Sequence, residues 1–467
     1  MNQINFTRYH IKTKSAPDIE KWPTRFNVQV GKIELAMFLI KEVLHYGPFK
    51  HQVILSRPCI YGVFSGPIGG FAPRPQHCVG CLRCTTEFPE YITVSPNPDR
   101  RKLGDSYFTS NFVDTLSYEV EEGSIPVKGA GYRGKFGGEG WDGMWTDMSE
   151  IVRPTRDGIH GREFISTSID IGYRPNFLTF DDAGQPVGAT PNVVSIPLPM
   201  LFDVASPSMA NAELWKSAAL AMNEIGSLAV IPLDGVIQHG LHGDHVVPLV
   251  NAGDEEKLAS LPSPRLIQLN GWNEALYDFL SQKFPDTLIS LRLPFSTSEE
   301  LLEYAKKGIH VFHFFADFHG RNPEDQFVLE LIRETHAVFV KAGIREEVTL
   351  LGSGGMIAAE HMPKAILCGL DAIALDTPLV VALQGKFDGE CADREKSRFT
   401  FPKKLNSKWG KQRLMNLAAS WRDQLLEISG AMGIRETRRM RGEMGRAMLM
   451  STLEAEAFDG VVGYERA

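Results

Sequence analysis

What this sequence has little of narrows its class first. No apolar run approaches the roughly 18 residues that a bilayer-crossing helix requires, and the best candidate, Val193 to Ala205, is broken by prolines. The opening stretch, MNQINFTRYHIKTKSAP, has no apolar core of the kind a secretory signal needs, so a cytoplasmic chain is expected. Basic charge is not in excess: 49 Lys and Arg stand against 57 Asp and Glu, a net charge of −8 and a pI near 5.9. That excludes the basic face with which a protein holds nucleic acid. No dinucleotide-binding fingerprint, internal repeat or low-complexity segment is found. Cysteines number six in 467 residues. In a reducing compartment they read as metal or cluster ligands, catalytic thiols or buried filler before they read as disulfides.

What is there has the composition of an ordinary soluble enzyme, 43% apolar and 23% charged, with length for two or three domains or for one large barrel with an appendage. From about Leu198 onward, short apolar runs alternate with amphipathic helical segments, the pattern of a parallel sheet wound by crossover helices. The strand candidates are Met200 to Val204, Leu228 to Leu233, His245 to Val250, Leu266 to Leu269, Leu288 to Leu293, Ile309 to Phe315, Val348 to Leu351 and Ala372 to Leu375. Eight strands are the number a (β/α)8 barrel needs, which favours a TIM barrel over a doubly wound open sheet built from similar elements. The intervening helices are punctuated: STSEELLEYAKKG offers hydroxyls ahead of Glu299 and Glu300 and stops at Gly308, and EDQFVLELIRETHAVFVKAG stops at Gly343.

The expected division is an N-terminal helical and extended segment over 1–58, a loop-rich iron–sulfur region with its linker over 59–150, and the barrel with C-terminal helices over 151–467. Within the first, KIELAMFLIKEVLH reads as an apolar helix docked on a core rather than lying on a membrane surface. The second is rich in Gly and Pro, and Tyr132, Phe136, Trp141 and Trp145 supply anchors for it.

The cysteines concentrate in HCVGCLRCTTEFPE, residues 77–90. Cys78, Cys81 and Cys84 keep the C-x2-C-x2-C spacing of a ferredoxin, but Phe88 stands where the fourth cysteine would precede Pro89. In two-cluster ferredoxins that fourth residue ligates the other cluster, so its loss removes a second cluster rather than the first. Three thiolates suffice for [3Fe–4S], and [4Fe–4S] needs a remote fourth, for which Cys59 in RPCIYG is nearest. A zinc site from the same four residues is the alternative. Cys368 reads as core, and Cys391 has no assignment.

On the barrel's C-terminal face, where such folds place their sites, the seventh and eighth strands run into GSGGM and LDTPLV. Ser353, Gly354, Gly355, Asp376 and Thr377 would then form either a phosphate-binding pair of loops, with glycines admitting close N–H approach, or plain turns. Arg292, a charge inside the apolar strand LISLRLPF, requires a cavity or a partner. It would serve beside a flavin ring or in a rim ion pair. Asp317 and His319, after the sixth strand, are acid–base or substrate-contact candidates, a structural hydrogen bond being the other reading. His239, His242, Asp244 and His245 in QHGLHGDH are spaced for a metal or for a polar lid.

Taken together, these features resemble the glutamate synthase family in its short archaeal-type form. The residues that carry the likeness are CVGCLRC, the linker SEIVRPTRDGIHGREFISTSIDIG, NAELWKSAALAMNEIG, HGRNPEDQFVLELIRETH and LGSGGMIAAEHMPKAILCGLDAIALDTPLVVALQG. The resemblance implies a barrel that binds FMN, an iron–sulfur cluster ([4Fe–4S] or [3Fe–4S]), and reductive amination of 2-oxoglutarate or a related keto acid with ammonia. It implies FMN contacts from Ser206, Gln268, Arg292, Ser353, Gly354, Gly355, Asp376 and Thr377, cluster ligation by Cys59, Cys78, Cys81 and Cys84, and catalytic roles for Asp234, His319 and Asp317. Arg292 stands where relatives have a lysine. The family's M-S-F-G element is here Ala205, Ser206, Pro207 and Ser208, and its N-T-G-E-G-G element is Pro232, Leu233, Asp234, Gly235 and Val236, so Asp234 takes an acidic catalytic position by replacement.

No glutaminase-type N-terminal cysteine accompanies the barrel, so the expected partners are a ferredoxin or an NAD(P)H-oxidising reductase subunit and an ammonia-supplying amidotransferase, with oligomerisation left open. The altered elements motivate a second reading, a catalytically changed flavin-binding relay or scaffold subunit of a larger redox complex. Arg435, Arg438, Arg439 and Arg441 in IRETRRMRGEMGR would dock an acidic ferredoxin or form a solvated helix face. A zinc-stabilised barrel binding a phosphosugar is the third reading.

Overall fold

The computed structural model describes residues 9–47, 50, 59–125, 140–146, 165–187 and 191–463. Tyr132, Phe136 and most of the expected linker lie outside them. The chain divides into two compact units, one of Met1–Ile19, Phe112–Pro126 and Lys135–Ala467, the other of Glu20–Asn111 and Val127–Gly134.

In the larger unit the apolar runs form β1 (Met200–Asp203), β2 (Ala229–Pro232), β3 (Val246–Val250), β4 (Leu266–Asn270), β5 (Leu288–Pro294), β6 (Val311–Phe315), β7 (Thr349–Ser353) and β8 (Ala372–Leu375). They close in chain order into a parallel eight-stranded barrel, with β8 pairing back onto β1. Strands of a parallel barrel are covered on both faces, which is why β1, β3 and β8 are buried along their whole length. The register sets Arg292 of β5 between Asn270 of β4 and His313 of β6, and Phe315 of β6 beside Ser353 of β7. These residues therefore lie in successive layers near the C-terminal ends of the strands.

The helices within and directly after the barrel are α1 (Ala212–Ile225), α2 (Leu233–His239), α3 (Glu274–Lys283), α4 (Glu300–Lys306), α5 (Val328–Lys341), α6 (His361–Cys368), α7 (Thr377–Ala382) and α8 (Ser407–Ala431). Asn211, Asn273 and Asn406 each accept a backbone N–H of the helix they open, satisfying donors a helix start leaves orphaned. Between β3 and β4 only a 3-10 turn, Lys257–Ser260, takes the place of a helix.

The opposite, N-terminal end of the barrel is plugged by an antiparallel hairpin, Ile169–Tyr173 with Asn192–Ile196. Its Ile169, Ile171, Val194 and Ile196 join the barrel interior residues Leu201, Val230, Val247, Leu266, Val311 and Leu351 in one core. Thr349, the first residue of β7, exchanges hydrogen bonds with the backbone of Gly172. At the same end Asp371 is clamped by Arg345 at 2.8 Å and Arg441 at 2.7 Å. The segment expected as a basic docking helix is thus a different object. It forms a 3-10 turn, Thr437–Met440, with Arg441 turned inward and Arg438 paired with Asp170 at 3.1 Å.

The smaller unit is built on an antiparallel pair, Phe26–Val30 with Ile92–Pro96, and the helix Lys32–Tyr46, so its first elements come from the expected N-terminal segment. Leu35, Val63, Phe64, Tyr91 and Ile92 form its core, with Phe38, Leu39, Cys59, Cys78, Cys84 and Phe88 packed against them. The helix docks through Leu35, Phe38 and Leu39 while Ile33, Met37, Ile40 and Leu44 remain exposed on its other side.

Candidate functional site

Two places gather chemistry. The first is the C-terminal mouth of the barrel. A charge ending an apolar strand must find a partner, and Arg292 at the end of β5 finds Asp203 at the end of β1, Nη2 to Oδ2 2.7 Å. Its Nη1 donates to Gln268 Oε1 at 3.3 Å and lies 3.4 Å from His313 Nδ1. Gln268 Nε2 in turn lies 3.1 Å from Ser290 Oγ and 3.0 Å from His313 Nδ1, and the other ring nitrogen of His313 is 3.3 Å from Ser353 Oγ.

A second guanidinium enters from the loop beyond α7. Arg394 donates from Nε to Ala316 O at 2.5 Å, from Nη1 to Ser206 Oγ at 3.1 Å, and from Nη2 to Ser353 Oγ at 3.2 Å and Asp376 Oδ2 at 2.7 Å. It lies 3.6 Å from Asp203 and over the faces of Phe315 and Phe318. Asp376 Oδ1 meanwhile accepts the N–H of Thr377 at 2.6 Å, capping α7.

The electrostatics follow from burial and sign. Burial works to raise the Asp203 carboxyl, but Arg292, His313 and Arg394 together hold it well below the usual carboxylate range. Burial, then the Arg292 charge, push His313 down to about 3, so it is a neutral imidazole at ordinary pH. Burial lifts the Asp376 carboxyl, with Arg394 opposing.

Of the residues expected to hold FMN, Ser206, Gln268, Arg292, Ser353, Asp376 and Thr377 do come together, and all are at most 5% exposed. Gly354 and Gly355 are buried with φ of 99° and 71°, conformations glycine adopts without strain. They are packed against the β6 loop: a Cβ on Gly354 would meet the carbonyls of Ala316 and Asp317, and one on Gly355 would meet Gly320. The N–H of Gly355 donates to Phe318 O and its carbonyl accepts the Trp141 indole at 2.9 Å. In this arrangement the side chains of Gln268, Arg292, Ser353 and Asp376 are each engaged by protein groups, which does not fit the contacts a flavin would draw from them.

The expected catalytic residues do not assemble. Asp234 begins α2 with its side chain 73% exposed and pairs with Lys257 at 2.8 Å. Asp317 uses its carboxylate to accept the N–H of Arg321 at 2.7 Å, closing the turn after β6, and burial raises its carboxyl. His319 lies partly buried in the same turn. In QHGLHGDH, the His245 ring is tied to Ser227 O at 2.7 Å and His239 packs near Trp215. Sequence reasoning missed Asp203, His313 and Arg394. The first two carried a signal, a polar group inside MLFDV and VFHFF; Arg394 in CADREKSR carried none.

The second place is in the smaller unit. Cys59, Cys78, Cys81 and Cys84 line a single cavity of about 180 Å³, whose other walls are mostly apolar, Val28, Val63, Val79, Leu82 and Val94 with Ile60 and Tyr61, joined by Gly80 and Arg83. Gly80 and Leu82 both take the left-handed conformation, φ 66° and 61°, which turns the C-x2-C-x2-C run so that successive thiols face inward. A left-handed leucine is uncommon and costs strain. Burial, then the Cys59 and Cys78 thiols, push the Cys84 thiol up to about 11. Phe88, at the position of the missing cysteine, is an aromatic of the core, 5.0 Å from Phe38 and 5.4 Å from Tyr91. Cys368 and Cys391 are buried elsewhere.

No family model matches the chain. Among curated proteins it is 23% identical over 439 residues to the archaeal-type glutamate synthase (NADPH) of Dehalococcoides mccartyi, covering 79% of this chain and 86% of that one. It is also 23% identical over 441 residues to the archaeal glutamate synthase (NADPH) of Archaeoglobus fulgidus, covering 78% and 84%. A segment of 110 residues is 31% identical to the enzyme of that name from Methanocaldococcus jannaschii, 22% of each chain. Among solved structures, a mandelate oxidase with a monooxide FMN adduct overlays 74% of this chain and 93% of its own at 14% identity, TM-score 0.41. An IMP dehydrogenase/GMP reductase-like protein from Corynebacterium glutamicum overlays 66% and 93% at 12% identity, TM-score 0.40. No helix among the described residues is long and apolar enough to cross a membrane. Over most of its length the chain is therefore similar to curated archaeal-type glutamate synthases.

Proposed function

We propose that this chain is an iron–sulfur redox subunit of a glutamate synthase-type oxidoreductase, taking electrons singly from a ferredoxin or an NAD(P)H-oxidising reductase subunit. The observation that carries this is the convergence of Cys59, Cys78, Cys81 and Cys84 on one mostly apolar cavity. Four thiolates crowded among valines repel one another and are poorly solvated. A cationic iron core is what such a donor set accommodates.

Spacing favours a cluster over zinc. A tetrahedral zinc with Zn–S near 2.3 Å draws sulfurs to roughly 3.8 Å from one another. Among the described residues, no three of these thiols lie mutually within 4.8 Å. The presence of Cys59 supports [4Fe–4S] over [3Fe–4S]. A cluster bound there would supply one-electron transfer. The protein's own part is to hold four thiolates in place and to keep water out with Val28, Val63, Val79 and Val94, while the exposed Cys81 marks the edge nearest a donor.

Two readings compete for the barrel, an FMN enzyme that reductively aminates 2-oxoglutarate and a catalytically altered subunit that relays electrons. The relatives' names favour the first. The engaged state of Gln268, Arg292, Ser353 and Asp376, and the exposed, lysine-paired Asp234, favour the second. The test is iron and acid-labile sulfide quantification with a visible spectrum of anaerobically purified protein. Four irons per chain with broad visible absorption is the expected result. One zinc and no iron would end the proposal.

A further inference from the structure

We propose that the barrel mouth of this chain has exchanged a flavin site for an internal ion-pair core keyed by Arg394, so that FMN is not among its cofactors. From the family reading the proposal takes only the place where a flavin would lie; the rest is geometry.

A flavin mononucleotide brings two anionic demands to a barrel. Its phosphate needs free backbone N–H groups or unneutralised cations, and its reduced ring needs a cation beside the pyrimidine edge. At this mouth two guanidiniums, Arg292 and Arg394, face two carboxylates, Asp203 and Asp376, with neutral His313 between them. Among the described residues of this network the charges balance two against two. Arg292, placed where it would face the ring, is bound to Asp203. At the phosphate position, the backbone N–H of Thr377 donates to the carboxylate of Asp376 and that of Gly355 to a carbonyl. A phosphate arriving there would meet a buried carboxylate.

Space argues the same way. Arg394 ties the loop after β1, through Ser206, to the ends of β7 and β8, through Ser353 and Asp376. It is sandwiched by contact with Phe318 at 4.8 Å and Phe315 at 5.6 Å. That guanidinium fills the space between these loops, and Asp203, Gln268, His313 and Ser353 beneath it have no exposed surface. Opening the mouth would strand two carboxylates in a low-dielectric interior, a cost a weakly placed ligand cannot return.

The test uses the wild-type chain, produced with riboflavin supplied in the medium and purified anaerobically. Flavin released by acid is measured by fluorescence, and FMN is titrated against the same protein while its fluorescence is followed. The expected result is only trace flavin as purified and no saturable quenching on titration. One FMN per chain, or saturable quenching by added FMN, overturns the proposal. Iron is assayed in the same sample, so the two readings fail separately: missing iron strikes the cluster assignment alone, and bound FMN strikes only this one.

Discussion

Arg394 Nη2 lies 2.7 Å from Asp376 Oδ2 at the C-terminal mouth of the barrel, an ion pair in which both side chains are at most 10% exposed. Neither residue is replaceable by a neutral one without consequence, because the partner stays behind as an uncompensated charge. Breaking a buried pair from one side costs about 3–5 kcal/mol, whereas exposed pairs cost far less. Arg394→Ala abandons Asp376 and weakens the hold on Asp203 together. The expected outcome is a loss of stability of that size for the barrel, read as a lowered denaturant midpoint. A variant as stable as wild type would show the network to be slack.

The cysteine pocket predicts a sharp contrast between two substitutions. Cys59 lines the cavity with the other three thiols, whereas Cys391 is buried in the larger unit with its thiol 3.5 Å from Arg398 O. Cys59→Ser is expected to lower iron per chain and bleach the visible absorption, and Cys391→Ser is expected to leave both unchanged. Full retention of iron in Cys59→Ser would make the site three-coordinate.

The barrel was legible because its signal is local. Apolar runs of four to seven residues, separated by helices that open with asparagine or serine and stop at glycine, survive any rearrangement of long-range contacts. Arg292 was legible for the same reason, as a charge in a strand. What it pairs with was not, because Asp203 lies 89 positions earlier in sequence. Arg394 was invisible: CADREKSR reads as a solvated loop, and only the fold carries it 188 positions back to Ser206. The glycines of GSGG were read as admitting a phosphate or as plain turns, and backbone of the β6 loop packs against them. Phe88 was read as an absence of cysteine. Its positive role, an aromatic between Phe38 and Tyr91, depends on pairing across the unit that spacing does not reveal.

Gly354 tests that close approach. It holds φ 99°, and an added Cβ would lie 2.9 Å from Ala316 O and nearer still to Asp317 O. Both neighbours are backbone and cannot rotate away. Gly354→Ala combines left-handed strain with a clash, and a cost of about 2–4 kcal/mol is expected. Gly343, also with positive φ but with open space around its Cβ, supplies the control: Gly343→Ala meets strain alone, about 1 kcal/mol. Equal losses in the two variants would mean that packing at the β7 turn is looser than described.

His313 makes the stability of the barrel depend on pH in a predictable sense. Burial, and then the Arg292 charge, hold it at about 3, against an ordinary value of 6.5. The folded chain therefore leaves it neutral where the unfolded chain protonates it. Between about pH 3 and 6.5 the unfolded state binds the extra proton, so stability rises with pH, by about 1.4 kcal/mol per unit from this residue. Asp203, held low by Arg292, His313 and Arg394 against its burial, adds stability that is present above the ordinary carboxylate value and lost only below it. Asp376, lifted by burial, acts in the opposite sense. Between pH 5 and 6.5 His313 acts together with the similarly depressed His310, His336 and His361, and the contribution of His313 is read as the difference between wild type and variant. Unfolding midpoints across that range are expected to climb with pH in the wild type and to climb less steeply in His313→Gln, whatever absolute stability that variant has. Parallel slopes would mean that His313 is protonated in the fold, and the neutral imidazole between Arg292 and Ser353 would be withdrawn.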